Sequence, residues 1–139
     1  MGITIRSARL PDVASIAALW TTSAGPTRIA GGAADAQRLL ARDPDALIVA
    51  ERDGQIVGTL IVGWDGWRCH LYRMAVAADA RRVGIATALF NEARVRAARL
   101  GAIRIDAMVA TENDPAIAYW ESLGFELDRA DRRWSLLLG

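Results

Sequence analysis

The chain has no lysine: all 17 of its basic residues are arginine, balanced by 16 acidic residues and a single histidine, for a net charge of +1. So even a balance creates no global field to recruit nucleic acid or a membrane surface, and any anion has to be bound locally. The arginine bias is compatible with codon usage alone, although arginine keeps its charge and grips phosphate oxygens in pairs. Cysteine is almost as scarce. Cys69 cannot close an intramolecular disulfide, and without a CxxC partner in its apolar stretch it reads as a buried structural thiol rather than a nucleophile or metal ligand. Uninterrupted apolar stretches such as Leu47-Ile48-Val49-Ala50 fall far short of the roughly 20 residues that cross a bilayer. Arg6 and Arg9 stand near the start with no apolar run and cleavage site after them, so the opening does not read as a secretory signal. The expectation is a soluble, cytoplasmic protein of one domain, residues 1–139, without a metal, a nucleic-acid partner or a membrane partner.

Repeats, low-complexity tracts and interdomain linkers are also missing, and the elements follow one another closely. Ile3 to Ser7 suits a first strand, and Pro11-Asp12 introduces a helical pattern in Val13, Ile16, Ala17, Leu19 and Trp20. Thr21 to Gly32 reads as a loop able to cover a pocket, before a short helix near Ala33 to Arg42. Ala46 to Glu51 and Gln55 to Trp64 are β-rich runs joined by a hairpin signal at Asp53-Gly54, and Asp65-Gly66 links them to a third run, Trp67 to Val76. This meander is expected in the middle of a sheet. Gly84 to Leu100 is helical, with Ala86, Leu89, Phe90, Ala93, Ala97 and Leu100 on one face, Glu92 pairing with Arg96 on the other and Gly101 as the stop. A strand over Arg104 to Val109, a helix over Pro115 to Leu123 ended by Gly124, and a hairpin of Phe125–Ala130 with Trp134–Leu138 complete the order β-α-α-β-β-β-α-β-α-β-β. The absence of strict strand–helix alternation excludes a doubly wound nucleotide fold.

The most informative stretch is Met74-Ala75-Val76 followed by Arg81-Arg82-Val83-Gly84-Ile85-Ala86-Thr87, where a strand hands over to the long helix. A helix amino terminus presents unsatisfied N–H donors and a positive dipole end, and the small residues Gly84 and Ala86 let a pyrophosphate approach the main chain. The pattern Arg81-x-x-Gly84-x-Ala86 resembles the acetyl-coenzyme A motif of the GNAT (GCN5-related) N-acetyltransferase superfamily. A second block, Asn113-x-x-Ala116-x-x-Tyr119-Trp120-Glu121-x-x-Gly124-Phe125, is similar to that family's other signature, and Arg6, Ala8 and Asp12 match its usual opening. The resemblance implies an α+β GNAT (acyl-CoA N-acyltransferase) fold, with a mixed, mostly antiparallel central sheet flanked by helices. It implies acetyl-CoA as co-substrate, with Met74, Ala75 and Val76 along the pantetheine and thioester, Arg81, Arg82, Val83, Gly84, Ile85, Ala86 and Thr87 around the pyrophosphate, and Asn113 and Trp120 beside the coenzyme arm. Without the motif, Arg81 and Arg82 would read as a solvated turn and Asn113 as an ordinary turn residue. A chain without lysine has no lysine of its own to acetylate.

An acceptor such as an alkyl amine, with a pKa of about 10.4, is neutral to only about one part in a thousand at pH 7.4, so direct attack on a thioester calls for a base. His70 stands four residues before Met74, where some members of the resembling family carry a glutamate base. An imidazole can do that work, although a lone strand histidine is more often structural. Tyr72 shares the strand parity of His70 and is a further catalytic or acceptor-site candidate; Glu121 and Asp65 are weaker bases whose acidity burial would have to alter. Trp120 occupies the position where the family commonly has a tyrosine acid, and an indole N–H is far too weak an acid for that task. Trp20, Trp64 and Trp67 fall on elements that border the acceptor cleft in that family, against the plain alternative of core packing.

The leading expectation is therefore transfer of acetyl to a primary amine, either a small molecule or a protein amino terminus, in a ternary complex without metal or covalent enzyme intermediate. Its rival is a non-catalytic acyl-CoA-binding regulatory module of the same fold, favoured by the departure at Trp120. The basic cluster Arg129, Arg132 and Arg133 is interrupted by Asp131 and reads as a solvated hairpin, not a nucleic-acid site. A homodimer is one state that the resemblance allows.

Overall fold

The computed structural model describes residues 2–23, 32–109 and 114–138, and the chain divides into two compact units, Met1–Met108 and Val109–Gly139. In the first unit, strands β1 (Ile3–Ser7), β2 (Leu47–Arg52), β3 (Gln55–Trp64), β4 (Cys69–Val76) and β5 (Ile105–Ala107) form one sheet in that spatial order. The first three junctions are antiparallel and the last is parallel. Helices α1 (Val13–Ser23), α2 (Ala33–Arg42) and α3 (Ile85–Leu100) complete the unit. The expected meander β2-β3-β4 does occupy the middle of the sheet. Its first turn is a two-residue one, because Asp53 (φ 53°) and Gly54 (φ 77°) are both left-handed, which matches the twist of the strands it joins.

Both faces of the sheet are covered. Leu47, Val49, Ile61 and Ala75 pack with Val13, Ile16, Leu19 and Trp20 of α1 and Ala36 of α2. The alternate residues Ile48, Ala50, Leu60, Val62, Cys69 and Leu71 are buried too, as are Ile85, Leu89, Phe90, Ala93 and Ala97 of α3. Gly58 sits close under that side: a Cβ there would lie 3.0 Å from Ile85 Cγ2 and 3.1 Å from Leu89 Cδ1, so a larger residue would require these side chains to give by a few tenths of an ångström. Fully burying an Ile or Leu is worth about 1.5–3 kcal/mol, whereas an exposed pair such as Arg38–Asp35 contributes about 0–1 kcal/mol. The layered core, not surface charge, therefore dominates stability.

The α3 core face departs slightly from the expected pattern. Ile85 takes the place expected for Ala86, and Leu100 is exposed. The expected Glu92–Arg96 pair forms, Nε to Oε1 at 2.9 Å, and Arg96 Nη1 also donates to Asp45 O at 2.6 Å, tying α3 to the loop before β2. Gly101 (φ 93°) ends α3 as its sequence position predicts, with its N–H on Ala97 and Ala98 carbonyls. The fifth strand is shorter than Arg104–Val109, only Ile105–Ala107.

In the second unit, α4 (Asp114–Ser122) is ended by left-handed Gly124, and Phe125 N donates to Trp120 O at 3.1 Å. The Phe125 ring meets Trp120 edge-on at 4.9 Å between centroids. The expected hairpin of Phe125–Ala130 with Trp134–Leu138 is not formed: residues 125–138 contain no strand, and all of them after Phe125 are exposed. A hairpin alone buries too little apolar surface to hold together. The Asp128 carboxylate instead accepts from Ala130 N at 2.9 Å, a local turn within the first of the two expected strands.

One polar knot holds the start of the chain. Arg6 of β1 donates twice to Asp12 (2.8 and 3.1 Å) and twice to Glu51 Oε1 of β2 (3.0 and 2.7 Å), while Asp12 Oδ2 also accepts from Arg9 N at 2.8 Å. These bonds hold the Asp12 carboxyl below the usual carboxylate range, the Arg6 guanidinium being the largest cause. A depressed folded pKa gives stability that is complete above the unfolded value and lost as pH falls through the folded one. Asp12→Asn is thus expected to lower stability by about 1.5–3 kcal/mol at neutral pH. The gap between the two proteins' Tm values should close as pH is taken from about 4 downward; a gap that persists undiminished in acid would show that the carboxylate charge is not its source.

Candidate active site

The site is organised by an irregularity in β4. Thr59 pairs with Ala75 and Ile61 with Tyr72, so two steps along β3 match three along β4. The extra residue is a β-bulge, and Arg73 within it is left-handed at φ 56°, a conformation that costs a non-glycine residue about 1–2 kcal/mol. Thr59, fully buried, meets the bulge from β3: its hydroxyl donates to Arg73 O at 2.9 Å and accepts from Trp20 Nε1 at 2.9 Å. The Arg73 guanidinium lies 5.3 Å from the centroid of the Trp20 ring.

Before the bulge, Cys69 and Leu71 are buried while His70 and Tyr72 are exposed. Strand alternation and pairing with Gly63 and Ile61 put His70 and Tyr72 on the sheet face that carries α1 and α2. A Cβ at Gly63 would lie 3.1 Å from Tyr72 Cε1 and 3.5 Å from its hydroxyl, so the Tyr72 ring leans across β3 over this glycine. The parallel pairing of β4 with β5 covers only Cys69, His70 and Leu71. From Tyr72 to Val76 the same edge of β4 has no registered strand partner among the described residues.

Asp65 Oδ1 accepts from Trp67 N at 2.8 Å and Arg68 N at 2.7 Å, closing the β3–β4 turn. Those two N–H groups lower its pKa. This is the opposite of the elevation a carboxylate base requires, so Asp65 shapes the turn and is a poor proton acceptor. Burial pushes the Cys69 thiol up, with Asp106 adding to the effect, which makes it an inert core residue as expected.

The tryptophans separate. Trp20, expected at the acceptor cleft, is instead a core residue with its N–H engaged by Thr59. Trp64 pairs with Cys69 and so falls on the α3 side of the sheet, away from His70. Trp67 is exposed in the turn with the Arg68 guanidinium 4.6 Å from its ring centroid. Trp120 is buried in the second unit, between the edges of Tyr119 (5.9 Å) and Phe125. Asn113 lies outside the described residues.

After β4 the chain turns through a 3-10 segment, Ala78–Ala80, with Ala77 N held by Val57 O at 2.8 Å. Arg81 Nε folds back onto Val76 O at 3.1 Å. Arg82 (φ 67°) and Gly84 (φ 86°) are both left-handed, and α3 follows at once. Its N-cap, Gly84, offers no capping side chain, and no acidic residue stands in its first turn. The first intrahelical bond runs from Ala88 N to Gly84 O at 3.0 Å, and a Cβ at Gly84 would meet nothing within 4 Å. The helix thus begins at a glycine with open space over its Cα, flanked by Arg81 and Arg82. Ile85, buried beneath Gly58, holds it in place.

This strand, turn and helix also appear in known proteins. Residues 13–125 match the acetyltransferase (GNAT) family. The chain belongs to that family. An acetyltransferase of Pectobacterium atrosepticum is 39% identical over 92 residues, which cover 66% of this chain and 65% of that relative, slightly under two thirds of its length. Among solved structures, Ard1 from Thermoplasma volcanium superposes with a TM-score of 0.82 over 92% of this chain and 85% of its own, at 22% identity. The aminoglycoside 6′-N-acetyltransferase of Acinetobacter haemolyticus gives a TM-score of 0.75 over 98% and 99%, at 20% identity. Such identities speak for the fold alone, and the fold is the expected GNAT one. Within this GNAT chain, sequence reasoning passed over Gly58, Thr59, Gly63 and Arg73. The non-alternating run Leu71-Tyr72-Arg73-Met74-Ala75-Val76 was the available signal for the bulge, and the two glycines inside an apolar strand were the signal for close approaches.

Proposed function

We propose that this chain is an N-acetyltransferase that moves an acetyl group from acetyl-coenzyme A to a primary amine by direct attack in a ternary complex. The observation that supports the reading most is the start of α3, N-capped by glycine, free of acidic residues in its first turn and open above Gly84, because a pyrophosphate needs helix-terminal N–H donors and room to reach them. In this reading the main chain of Arg81 to Thr87 holds the phosphates, with Arg81 and Arg82 adding charge. The main chain of Met74, Ala75 and Val76, along the unregistered edge of β4, holds the pantetheine arm, and Asn113 and Trp120 keep the coenzyme role that the family signature implies for them. Ala75 is itself buried, so its part is played by backbone alone. Acetyl-coenzyme A, when bound, supplies the activated acyl thioester.

His70 is the proposed base. It is exposed on the face shared with Tyr72, where it is able to take the proton from an incoming amine while the Tyr72 ring, braced over Gly63, shapes the approach. Of the three tryptophans expected at the acceptor cleft, Trp67 is the exposed one. That acceptor is a small-molecule amine or a protein amino terminus; an aminoglycoside-acetylating enzyme of the same fold is a precedent for the first. The buried, unpaired Cys69 suits the reducing cytoplasm. The indole of Trp120 gives at most a hydrogen bond to the departing thiolate, which leaves adequately if its pKa is near the roughly 8.5 of a thiol. The same residue favours a second reading, a module that binds acyl-coenzyme A without turnover.

Incubation with acetyl-coenzyme A and a panel of amines, aminoglycosides, amino acids and peptides, followed by thiol release and product mass, separates the two readings. Transfer to at least one amine is expected, and coenzyme binding with no turnover across the panel would leave the binding module. His70→Ala should lower turnover by roughly 10²–10⁴ while sparing coenzyme affinity; full activity at neutral pH would remove His70 from the chemistry. Gly84→Val should weaken acetyl-coenzyme A binding at least about tenfold, since a β-branched side chain both fills the open space and strains a left-handed φ. Unchanged affinity in a folded variant would put the phosphates elsewhere.

A further inference from the structure

We propose that Trp20 and Thr59 are positioning residues for the acyl-transfer step, acting through the β4 bulge on the direction of the Met74 N–H. The inference rests on the coenzyme reading given above and adds residues that have no place in the family motifs. The geometry is a relay with only one possible polarity. An indole nitrogen can only donate, so Trp20 Nε1–H must give its proton to Thr59 Oγ1, 2.9 Å away. The Thr59 hydroxyl then has its own single proton for Arg73 O, also at 2.9 Å. Each bond polarises the next in the same direction.

The relay ends on a carbonyl that the bulge has taken off the regular ladder, since Ile61↔Tyr72 and Thr59↔Ala75 leave Arg73 and Met74 together opposite Leu60. That carbonyl belongs to the peptide joining Arg73 to Met74, and no peptide in the described chain is cis. In a planar trans peptide the C=O and N–H point in opposite directions. With Arg73 O drawn toward β3 and α1, the Met74 N–H must point away from both, toward the edge of β4 that β5 leaves after Leu71. This is the edge assigned to the thioester. Arg73 sits over the Trp20 ring at 5.3 Å, so the indole steadies both the carbonyl and the side chain of the left-handed residue. A buried donor pair thus aims a main-chain N–H without touching substrate.

Thr59→Val keeps the shape of the side chain and removes the hydroxyl; Thr59→Ser restores it; Trp20→Phe keeps an aromatic ring and removes the N–H. Thr59→Val is expected to lower kcat at least about tenfold, less than the 10²–10³ of deleting an oxyanion donor outright because Met74 is misdirected and not removed. KM for acetyl-coenzyme A should stay within about threefold, and Thr59→Ser should recover kcat to within about threefold; a merely structural role would not produce this split and rescue. A second readout needs no turnover. In wild type, the backbone amide resonance of Met74 should move further with acetyl-coenzyme A than with coenzyme A, which lacks the thioester carbonyl, and this difference should vanish in Thr59→Val and Trp20→Phe. If either folded variant keeps both kcat and the acetyl-specific shift, the positioning proposal falls while the coenzyme reading stands. If wild type binds neither form of the coenzyme, the coenzyme reading falls and takes this proposal with it.

Discussion

A single extra residue in β4 decides what this sheet presents. Side chains alternate with a period of two, so one added residue exchanges the faces of everything beyond it. Upstream of the bulge, even-numbered His70 and Tyr72 lie on the α1 side; downstream, it is odd-numbered Ala75 that pairs with Thr59 and packs under α1. Without the insertion Met74 and Val76 would occupy that crowded side in place of a methyl group. The insertion leaves one backbone carbonyl to be satisfied, and Thr59 is the buried polar residue that satisfies it. Removing that hydroxyl would leave the carbonyl without the partner it has here, which is why a threonine stands in an otherwise apolar strand.

The other half of the site depends on a missing side chain. Gly58 is one step from Thr59, on the opposite face, and its missing Cβ leaves room for Ile85 and Leu89 of α3 to pack closely over it. Adjacent residues of β3 therefore set both parts of the site, Thr59 the bulge and Gly58 the seat of the helix terminus. Anchoring a helix start by apolar packing, and not by a capping side chain, leaves its N–H groups available to an anion. With a net charge of +1 over the chain, attraction for the proposed coenzyme phosphates would come from that local arrangement and the two neighbouring arginines.

Much of this was legible in the residues and some was not, for physical reasons. Turns carried by Asp53-Gly54, Gly101 and Gly124 were readable because left-handed φ restricts the choice of residue, and the start of α3 was readable because Gly84 and its arginines lie close together in sequence. The role of Thr59 was hidden because its partners come from α1 and β4, thirty-nine and fourteen positions away. Trp20 was open to two readings, acceptor cleft or core packing, because a tryptophan on an amphipathic helix looks the same whether its N–H meets a ligand or, as here, a buried hydroxyl. The closing hairpin was over-read from local β preference. A strand needs a neighbour to pair with, and preference within residues 125–138 does not provide one.

The neighbouring pair Cys69 and His70 bears on the proposed acyl transfer. In sequence a cysteine beside a histidine suggests a thiolate activated by an imidazole, and a covalent acyl-enzyme would follow from it. On a strand, successive side chains point to opposite faces: Cys69 is buried among the residues facing α3, while His70 is exposed on the α1 side. The imidazole therefore faces away from the sulfur, and burial raises the thiol pKa where a nucleophile needs it lowered. Asp65, the nearby carboxylate, is committed to two backbone N–H groups and held in its anionic form. Neither the buried Cys69 thiol nor the Asp65 carboxylate is thus set up as nucleophile or base, which leaves the proposed role of His70 without a rival at these two positions.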